Sequence, residues 1–216
     1  MIDLHTHSLL SDGVLLPSEL VRRAYVKGYK VIAITDHIDA SNLENVLPGL
    51  INACATLDKK GMIRVIPGVE ITHVRPDDTR EIVEQARILG AKIVLVHGET
   101  LVEPVQAGTN KTALGLDIDI LTHPGLITLE EARIAAKKGI RLEISCRKGH
   151  CLSNGHIVKI AKKAGAKLVL NTDSHKPDDL RTDEEVKKIA IGAGLELEDW
   201  KKICSDTIEF VKKFFK

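Results

Sequence analysis

The chain has 216 residues, of which 44% are hydrophobic and 28% charged, a composition that is typical of globular proteins and excludes wholesale disorder. Its 31 basic and 30 acidic residues leave a net charge of +1, which excludes a strong overall attraction to nucleic acid or to an anionic membrane. No apolar run approaches the roughly 18 to 20 residues that a membrane span requires, so we expect no membrane partner.

Short apolar runs rich in β-branched residues recur along the chain and predict strands. In chain order the predicted strands are Ile2–His7, Val31–His37, Val65–Ile71, Ile93–His97, Ile118–His123, Arg141–Cys146 and Leu168–Asp173. Because aromatic residues make up only 3% of the chain, we expect a core built from Ile, Val, Leu and Ala.

Amphipathic segments lie between these runs and predict helices over Ser18–Lys27, Asn42–Lys60, Asp77–Leu89, Leu129–Lys138, His156–Ala164 and Asp183–Ile191. Each of the first five is followed by a glycine, the residue that is favoured just past the end of a helix. The least regular stretch, residues 99–115, is predicted to combine a loop with a short helix. The tail contains the segments Leu197–Ile203 and Ile208–Phe215, which are predicted to form one or two packing helices.

Strand and helix alternate with a repeat of about 30 residues, which is typical of βαβ units with parallel strands. No linker rich in Pro or Ser divides the chain, so we expect one domain over residues 1–216, with a barrel in residues 1–180 and closing helices in 181–216. A closed or nearly closed barrel is favoured, and an open doubly wound sheet is the alternative. No glycine-rich phosphate-binding motif follows any strand, so a dinucleotide or P-loop site has no support.

Most predicted strands end in side chains that can bind metal. In a parallel barrel these ends meet at one face, which would gather His5, His7, His37, Glu70, His97, His123, Asp173 and His175. Side chains two residues apart on a strand share a face, so His5 can converge with His7, and Asp173 with His175. Imidazole and carboxylate suit Zn, Mn and Fe, and this many donors exceed the needs of one ion, so at least two divalent ions are predicted.

The remaining histidines and the cysteines are interpreted as structural. His73, His150 and His156 fall in predicted loops and are not assigned as ligands. A zinc site from Cys146, His150 and Cys151 is disfavoured because a single loop supplies all three and no fourth ligand is evident. The cysteines show no CxxC spacing and the first residues show no signal-peptide pattern, so we expect reduced thiols and a cytoplasmic location.

The order of the polar motifs resembles the polymerase and histidinol phosphatase (PHP) superfamily. The matching motifs are His5-Thr6-His7, Ser11-Asp12-Gly13, Thr35-Asp36-His37, Pro67-Gly68-Val69-Glu70, His97, Thr122-His123-Pro124 and Thr172-Asp173-Ser174-His175. The resemblance extends from Met1 to about His175. It implies an α/β fold, a distorted seven-stranded (βα)7 TIM-like barrel with a metal site of two or three ions at the C-terminal strand ends.

The resemblance also implies a ligand set for each ion. One ion would be held by His5, His7, Glu70 and Asp173. Glu70 would bridge to a second ion held by His97 and His123. A third ion would be held by Asp12, His37 and His175. Thr35 and Asp36 are expected to orient imidazoles rather than to bind an ion.

The activity implied by the resemblance is phosphoester hydrolysis by metal-activated water, without a phosphoenzyme. The residues assigned to catalysis are Glu70, Asp173, His175 and Arg147. Arg147 follows the sixth predicted strand and is chosen as the phosphate clamp because a planar guanidinium matches the geometry of phosphate. Lys148 and Arg75 are the alternative cations.

Three classes of function stay open at this point. The first is a phosphatase of small phosphomonoesters, histidinol phosphate among them, and the second is a nuclease or a 3′,5′-nucleotide phosphoesterase. The third is a non-catalytic PHP binding module. The near-zero net charge and the few aromatic residues disfavour a nucleic-acid substrate, and the full set of ligand residues disfavours a binding module. The sequence does not determine the oligomeric state.

Overall fold

The computed structural model describes residues 1–59 and 62–215 of the chain. Its strands are β1 Ile2–Asp3, β2 Val31–Ile34, β3 His37–Ile38, β4 Arg64–Ile71, β5 Ile93–His97, β6 Ile120–Thr122, β7 Arg141–Ser145 and β8 Leu168–Asn171. Its α-helices are α1 Pro17–Val26, α2 Leu43–Leu57, α3 Pro76–Ile88, α4 Thr109–Ala113, α5 Leu129–Lys138, α6 Asn154–Ala164, α7 Asp183–Gly192 and α8 Leu197–Val211. Short 3₁₀ helices cover His150–Ser153, Pro177–Asp179 and Lys212–Phe215.

The strands are parallel and follow the order β1-β2-β4-β5-β6-β7-β8, and β3 continues the path of β2 alongside β4. Residues just past β1 and β8 then close the ring. The amide of Asp173 donates to the carbonyl of His5 at 3.0 Å, and the amide of His7 donates to the carbonyl of Ser174 at 2.9 Å. The result is a nearly closed barrel of seven parallel strands, which confirms the predicted TIM-like fold and rules out the open sheet.

The second predicted strand is divided into β2 and β3, and the division lies opposite a proline. Ile34, the last residue of β2, pairs with Pro67 of β4, which has no amide proton to donate. Pairing resumes where His37 lies opposite Glu70. Despite the break, β3 remains paired with β4. The side chains of His37 and Glu70 therefore lie at the same rim of the barrel.

Most predicted helix boundaries agree with the structure to within one or two residues. The predicted end of the second helix, at Lys60 and Gly61, lies outside the described residues, and the observed helix α2 ends at Leu57. The tail forms one α-helix, α8, rather than two. No α-helix among the described residues is both long enough and apolar enough to cross a membrane.

The barrel strands are buried on both faces, as expected of a parallel sheet with helices around it. The interior is filled by small and branched apolar residues, namely Leu4, Val31, Ala33, Ile66, Ile93, Leu95, Ile120 and Val169. The amino-terminal end is covered by the C-terminal segment, where the ring centroid of Phe210 lies 3.4 Å from the guanidinium carbon of Arg141. The polar side chains therefore lie at the opposite end of the barrel, at the carboxyl ends of the strands.

Gly125, which follows His123-Pro124, offers a test of how tightly the rim loops are held. Its φ is +59°, and a Cβ at this position would overlap the Glu99 carbonyl oxygen. We expect Gly125→Ala to destabilise the protein by roughly 2–5 kcal/mol, from left-handed strain plus overpacking. Gly139→Ala is the matched control, because Gly139 has a φ of +73° but no described heavy atom within 4 Å of the added Cβ. Denaturant midpoints that shift equally in the two variants would contradict this prediction.

Candidate metal centre

The carboxyl ends of the strands surround a cavity of about 360 Å³. Seven of the predicted site residues line it, namely Asp12, His37, His97, His123, Arg147, Asp173 and His175. The other three, His5, His7 and Glu70, are fully buried and contact residues of the lining. The fold therefore brings every residue predicted for the site to one rim, although they come from seven different strand ends and, for Asp12, from a turn.

Glu70, near the end of β4, lies at the centre of this group. Its Oε2 atom is 3.2 Å from Nε2 of His5, 3.6 Å from Nε2 of His7 and 3.0 Å from Nδ1 of His37. Its Oε1 atom faces the other way and lies 3.5 Å from Nε2 of His123. One carboxylate thus contacts imidazoles on two sides, which is the arrangement that a bridging ligand needs.

Asp173 follows β8 and faces the same centre from the other side of the barrel. Its Oδ1 atom is 3.4 Å from Nε2 of His7, and its Oδ2 atom is 3.8 Å from Nε2 of His123. Among the described residues other than glycine, only His73, His123 and Asp173 have positive φ, at 53°, 25° and 54°. Left-handed backbone is costly for such residues and tends to occur at functional sites, so this strain marks the rim as a functional region.

A further group of ligand atoms lies at the outer side of the cavity. Nε2 of His175 is 3.1 Å from Oδ1 of Asp12, and Nε2 of His37 is 3.5 Å from the same oxygen. His7 completes this group, because its ligand atom lies within 4.8 Å of those of the other three residues. Asp12, which comes from a turn rather than a strand end, is therefore placed with the two histidines that the resemblance implied.

Several buried polar atoms at the centre lack a hydrogen-bond partner among the described residues. They are Nε2 of His5, both ring nitrogens of His7, Oε2 of Glu70 and Nδ1 of His123. An unsatisfied buried polar atom costs about 1–3 kcal/mol, and native proteins contain few of them. Here the atoms are all of the types that bind divalent cations, so the donor set fits metal ions well.

The electrostatics of the centre favour the neutral, metal-binding form of two imidazoles and the protonated form of His5. Burial, together with the charges of neighbouring histidines, holds the pKa of His7 and of His123 well below the usual value, so both are neutral near pH 7. Burial also disfavours the charged form of His5, but the nearby carboxylates outweigh it and raise the pKa of His5. Burial raises the pKa of Asp173 to about 6.

Some groups that hold the imidazoles were missed by the sequence analysis. Glu143 of β7 accepts a hydrogen bond from Nδ1 of His5 at 2.8 Å and another from the amide of His123 at 3.1 Å. Thr72 contacts Nδ1 of His37 through its hydroxyl at 2.6 Å. The signal for Glu143 was available in the alternation of polar residues along β7, which directs its side chain into the barrel.

Asp36 does not have the orienting role that was predicted for it. Its carboxylate accepts hydrogen bonds from the Ser8 amide, the Ser8 hydroxyl and the Ser11 hydroxyl, each at 2.7 Å. Thr35 likewise bonds to the backbone of the β1 strand end rather than to an imidazole. Asp36 therefore fixes the loop that carries Asp12, and it acts on the site through that loop.

Arg147 is the one arginine or lysine among the described residues that line the cavity. Its Nη1 donates to Nδ1 of His175 at 2.5 Å and to the Asp173 carbonyl oxygen at 3.2 Å. The alternative cations lie elsewhere, because Lys148 is exposed outside the lining and the Arg75 side chain is 75% exposed and paired with Asp78. Arg147 is thus held at the mouth by two residues of the site.

His150 was interpreted as a loop histidine, but it belongs to the site. It is buried, lines the cavity, and has a ligand atom within 4.8 Å of those of His97 and His123. His156, by contrast, lies outside the clusters and bonds to the Ile127 carbonyl at 2.8 Å. No potential metal-binding group among the described residues includes a cysteine.

Comparisons with known proteins now identify the family. A model of the PHP domain matches residues 3–164, which is most of the chain. An uncharacterized protein of Methanocaldococcus jannaschii is 47% identical over 195 residues, covering 89% of each chain. A protein of Thermoanaerobacter sp. that is named a probable phosphatase is 28% identical over 214 residues, covering 90% of this chain and 87% of that protein.

The fold also has a counterpart among solved structures. A chain of archaeal ribonuclease P with mature tRNA aligns with a TM-score of 0.73, covering 99% of this chain and 91% of its own. The identity is 18%, so this similarity concerns the fold alone. Taken with the ordered motifs and the ligand geometry, the sequence comparisons show that this chain belongs to the PHP domain family.

Proposed function

We propose that the protein is a metal-dependent phosphoesterase that hydrolyses a small phosphomonoester. The observation that carries this proposal is the position of Glu70, whose carboxylate separates two groups of buried imidazoles with unpartnered ligand atoms. In the proposed assignment, one ion is held by His5, His7, Glu70 and Asp173. A second ion is held by His97 and His123 together with Glu70, which is shared between the two ions. A third ion is held by Asp12, His37 and His175. Zn, Mn and Fe all suit these ligands.

Divalent ions, when bound, would supply Lewis-acid charge for the phosphoryl oxygens and would lower the pKa of a water molecule. The protein contributes a rigid setting for this chemistry. Glu143 fixes the ring of His5, and Thr122 donates to Oε1 of Glu70 at 2.6 Å, so neither side chain is free to rotate. Arg147 lines the mouth, where its guanidinium can bind the non-bridging oxygens of a phosphate.

The cavity favours a small substrate. Its volume of about 360 Å³ lies at the lower end of the range for small-molecule sites. Histidines supply the only aromatic rings among the described lining residues, so these residues offer no Phe, Tyr or Trp platform on which a nucleobase could stack. We therefore propose a small phosphomonoester, of which histidinol phosphate is one candidate, and the probable-phosphatase relative supports this class.

A nucleic-acid role is the second candidate, and the similarity in fold to a chain of archaeal ribonuclease P favours it. In such a role the protein would either cut a phosphodiester or serve as a binding module. The retained set of buried ligand atoms argues against a module without catalysis, because leaving such atoms unsatisfied is costly. The near-zero net charge argues against a long nucleic-acid track.

One screen separates these candidates. The metal-loaded protein is assayed against phosphomonoesters, 3′,5′-bisphosphonucleotides and short oligonucleotides under the same conditions. We expect the fastest turnover with a phosphomonoester. Oligonucleotide cleavage that is faster than monoester hydrolysis and depends steeply on salt concentration would overturn the proposal in favour of a nuclease.

Metal content provides an independent test. Protein purified without chelator from medium supplemented with Zn and Mn should contain two to three transition-metal ions per chain by elemental analysis. Chelation should lower the melting temperature, because a ligand that binds only the folded state at a hundred times its Kd stabilises that state by about 2.7 kcal/mol. A content of one ion or none would contradict the multinuclear site.

A further inference from the structure

Two residues that the family resemblance does not assign as metal ligands, His150 and Glu103, lie against His97 and His123. His150 opens the 3₁₀ helix after β7, and Glu103 lies in the loop between β5 and α4. The Glu103 carboxylate spans two imidazoles, with Oε2 at 3.0 Å from Nε2 of His97 and Oε1 at 3.3 Å from Nε2 of His150. The ligand atoms of His97, His123 and His150 lie within 4.8 Å of one another.

These separations suit the coordination of a single ion. Ligand atoms that are 2.0–2.1 Å from a tetrahedral ion lie roughly 3.3–3.4 Å apart. The two oxygens of Glu103 each approach one histidine at a similar separation, 3.0 Å for His97 and 3.3 Å for His150. Three imidazoles and one carboxylate would supply four protein ligands of types that Zn, Mn and Fe accept. His73 also contacts Oε2 of Glu103, at 3.3 Å, but its side chain is 41% exposed and its cluster with His97 and Glu103 includes neither His123 nor His150.

The orientation of His150 is fixed as that of a metal ligand usually is. The Thr100 hydroxyl contacts Nδ1 of His150 at 2.7 Å, so Nε2 is directed toward Glu103 and, at 3.9 Å, toward Oδ2 of Asp173. A hydrogen bond at the second ring nitrogen is the common way in which proteins hold a ligating histidine. The ring also stacks on that of His123, with the two centroids 4.0 Å apart.

We propose that His97, His123, His150 and Glu103 form a four-ligand site for one divalent ion. This inference rests on the proposed metal-dependent function, and it adds His150 and Glu103 to the ligands of the second ion while Glu70 keeps its bridging place beside them. His97 and His123 come from strand ends, and Glu103 and His150 come from rim loops. The two loop residues are the ligands that this proposal adds. Glu103 is 36% exposed, so solvent would reach this ion along a loop side chain.

The test measures metal binding directly, with Zn²⁺ as the probe. Metal-free wild-type protein and its His150→Ala variant are titrated by calorimetry, and bound zinc is counted by elemental analysis after dialysis. We expect His150→Ala to lose one zinc ion per chain, or to bind one ion at least tenfold more weakly, while the other ions bind as in the wild type. His156→Ala, which removes a histidine outside the clusters, should bind zinc as the wild type does.

Glu103→Gln is a second variant for the case in which His150→Ala does not fold. It should fold normally, because the Glu103 side chain is partly exposed and the amide of glutamine has nearly the same shape as the carboxylate. It should weaken the same single ion, since a neutral amide is a poorer ligand than a carboxylate. Wild-type zinc content and affinity in both His150→Ala and Glu103→Gln would overturn this four-ligand site and leave the phosphoesterase proposal standing. Wild-type protein that binds fewer than two ions would overturn the multinuclear function itself.

Discussion

Glu70→Gln is expected to abolish phosphomonoester turnover while leaving the barrel folded. The carboxylate lies between His5 and His7 on one side and His123 on the other, and a neutral amide fills the same space but bridges two cations poorly. Thr122 can still donate its hydroxyl proton to an amide oxygen, so the side chain should keep its position. Chemistry and folding are thereby separated by a single substitution.

The measurement is kcat at saturating metal, combined with metal content and the melting temperature. Glu131→Gln is the matched control, because Glu131 occupies the capping box of α5, where glutamine serves as well as glutamate. Retention of more than about a tenth of kcat in Glu70→Gln, a loss of under ~1.4 kcal/mol in barrier height, would mean that Glu70 is not the bridging ligand.

Arg147→Ala is expected to lower kcat/KM for phosphomonoesters by one to three orders of magnitude, or about 1.4–4 kcal/mol of transition-state stabilisation. The guanidinium is anchored by His175 and the Asp173 carbonyl at the mouth of the cavity, where a phosphate would enter. The loss should be similar for unrelated leaving groups, because the clamp touches only phosphate. Hydrolysis of diesters, which carry one negative charge fewer, should be slow and less affected.

Two further variants show whether the geometry of Arg147 matters or only its charge. Arg147→Lys keeps the charge but lacks the planar fork, and it should recover only part of the activity. Lys148→Ala removes the neighbouring exposed cation and should change kcat/KM little. If Arg147→Ala leaves kcat/KM unchanged while Lys148→Ala or Arg75→Ala lowers it, the phosphate is bound by that other cation and not by Arg147.

The sequence by itself determined the fold class and most of the rim. Alternating apolar runs and amphipathic segments predict a parallel barrel because strand and helix periodicities are local properties of the chain. A parallel barrel in turn gathers its strand ends, so residues such as His5, Glu70 and His123 could be placed together without coordinates. The order of these motifs was enough to predict the family.

Only the tertiary structure decided which residues outside the strand ends join them. His150 and Glu103 lie in rim loops, whose paths depend on distant contacts such as the bond from the Asn110 side chain to the Pro124 carbonyl at 2.9 Å. Glu143 faces His5 across 138 positions of sequence. Spacing along a strand fixes which face a side chain occupies, whereas the position of a loop side chain depends on packing between segments far apart in sequence, and local pattern carries no information about that.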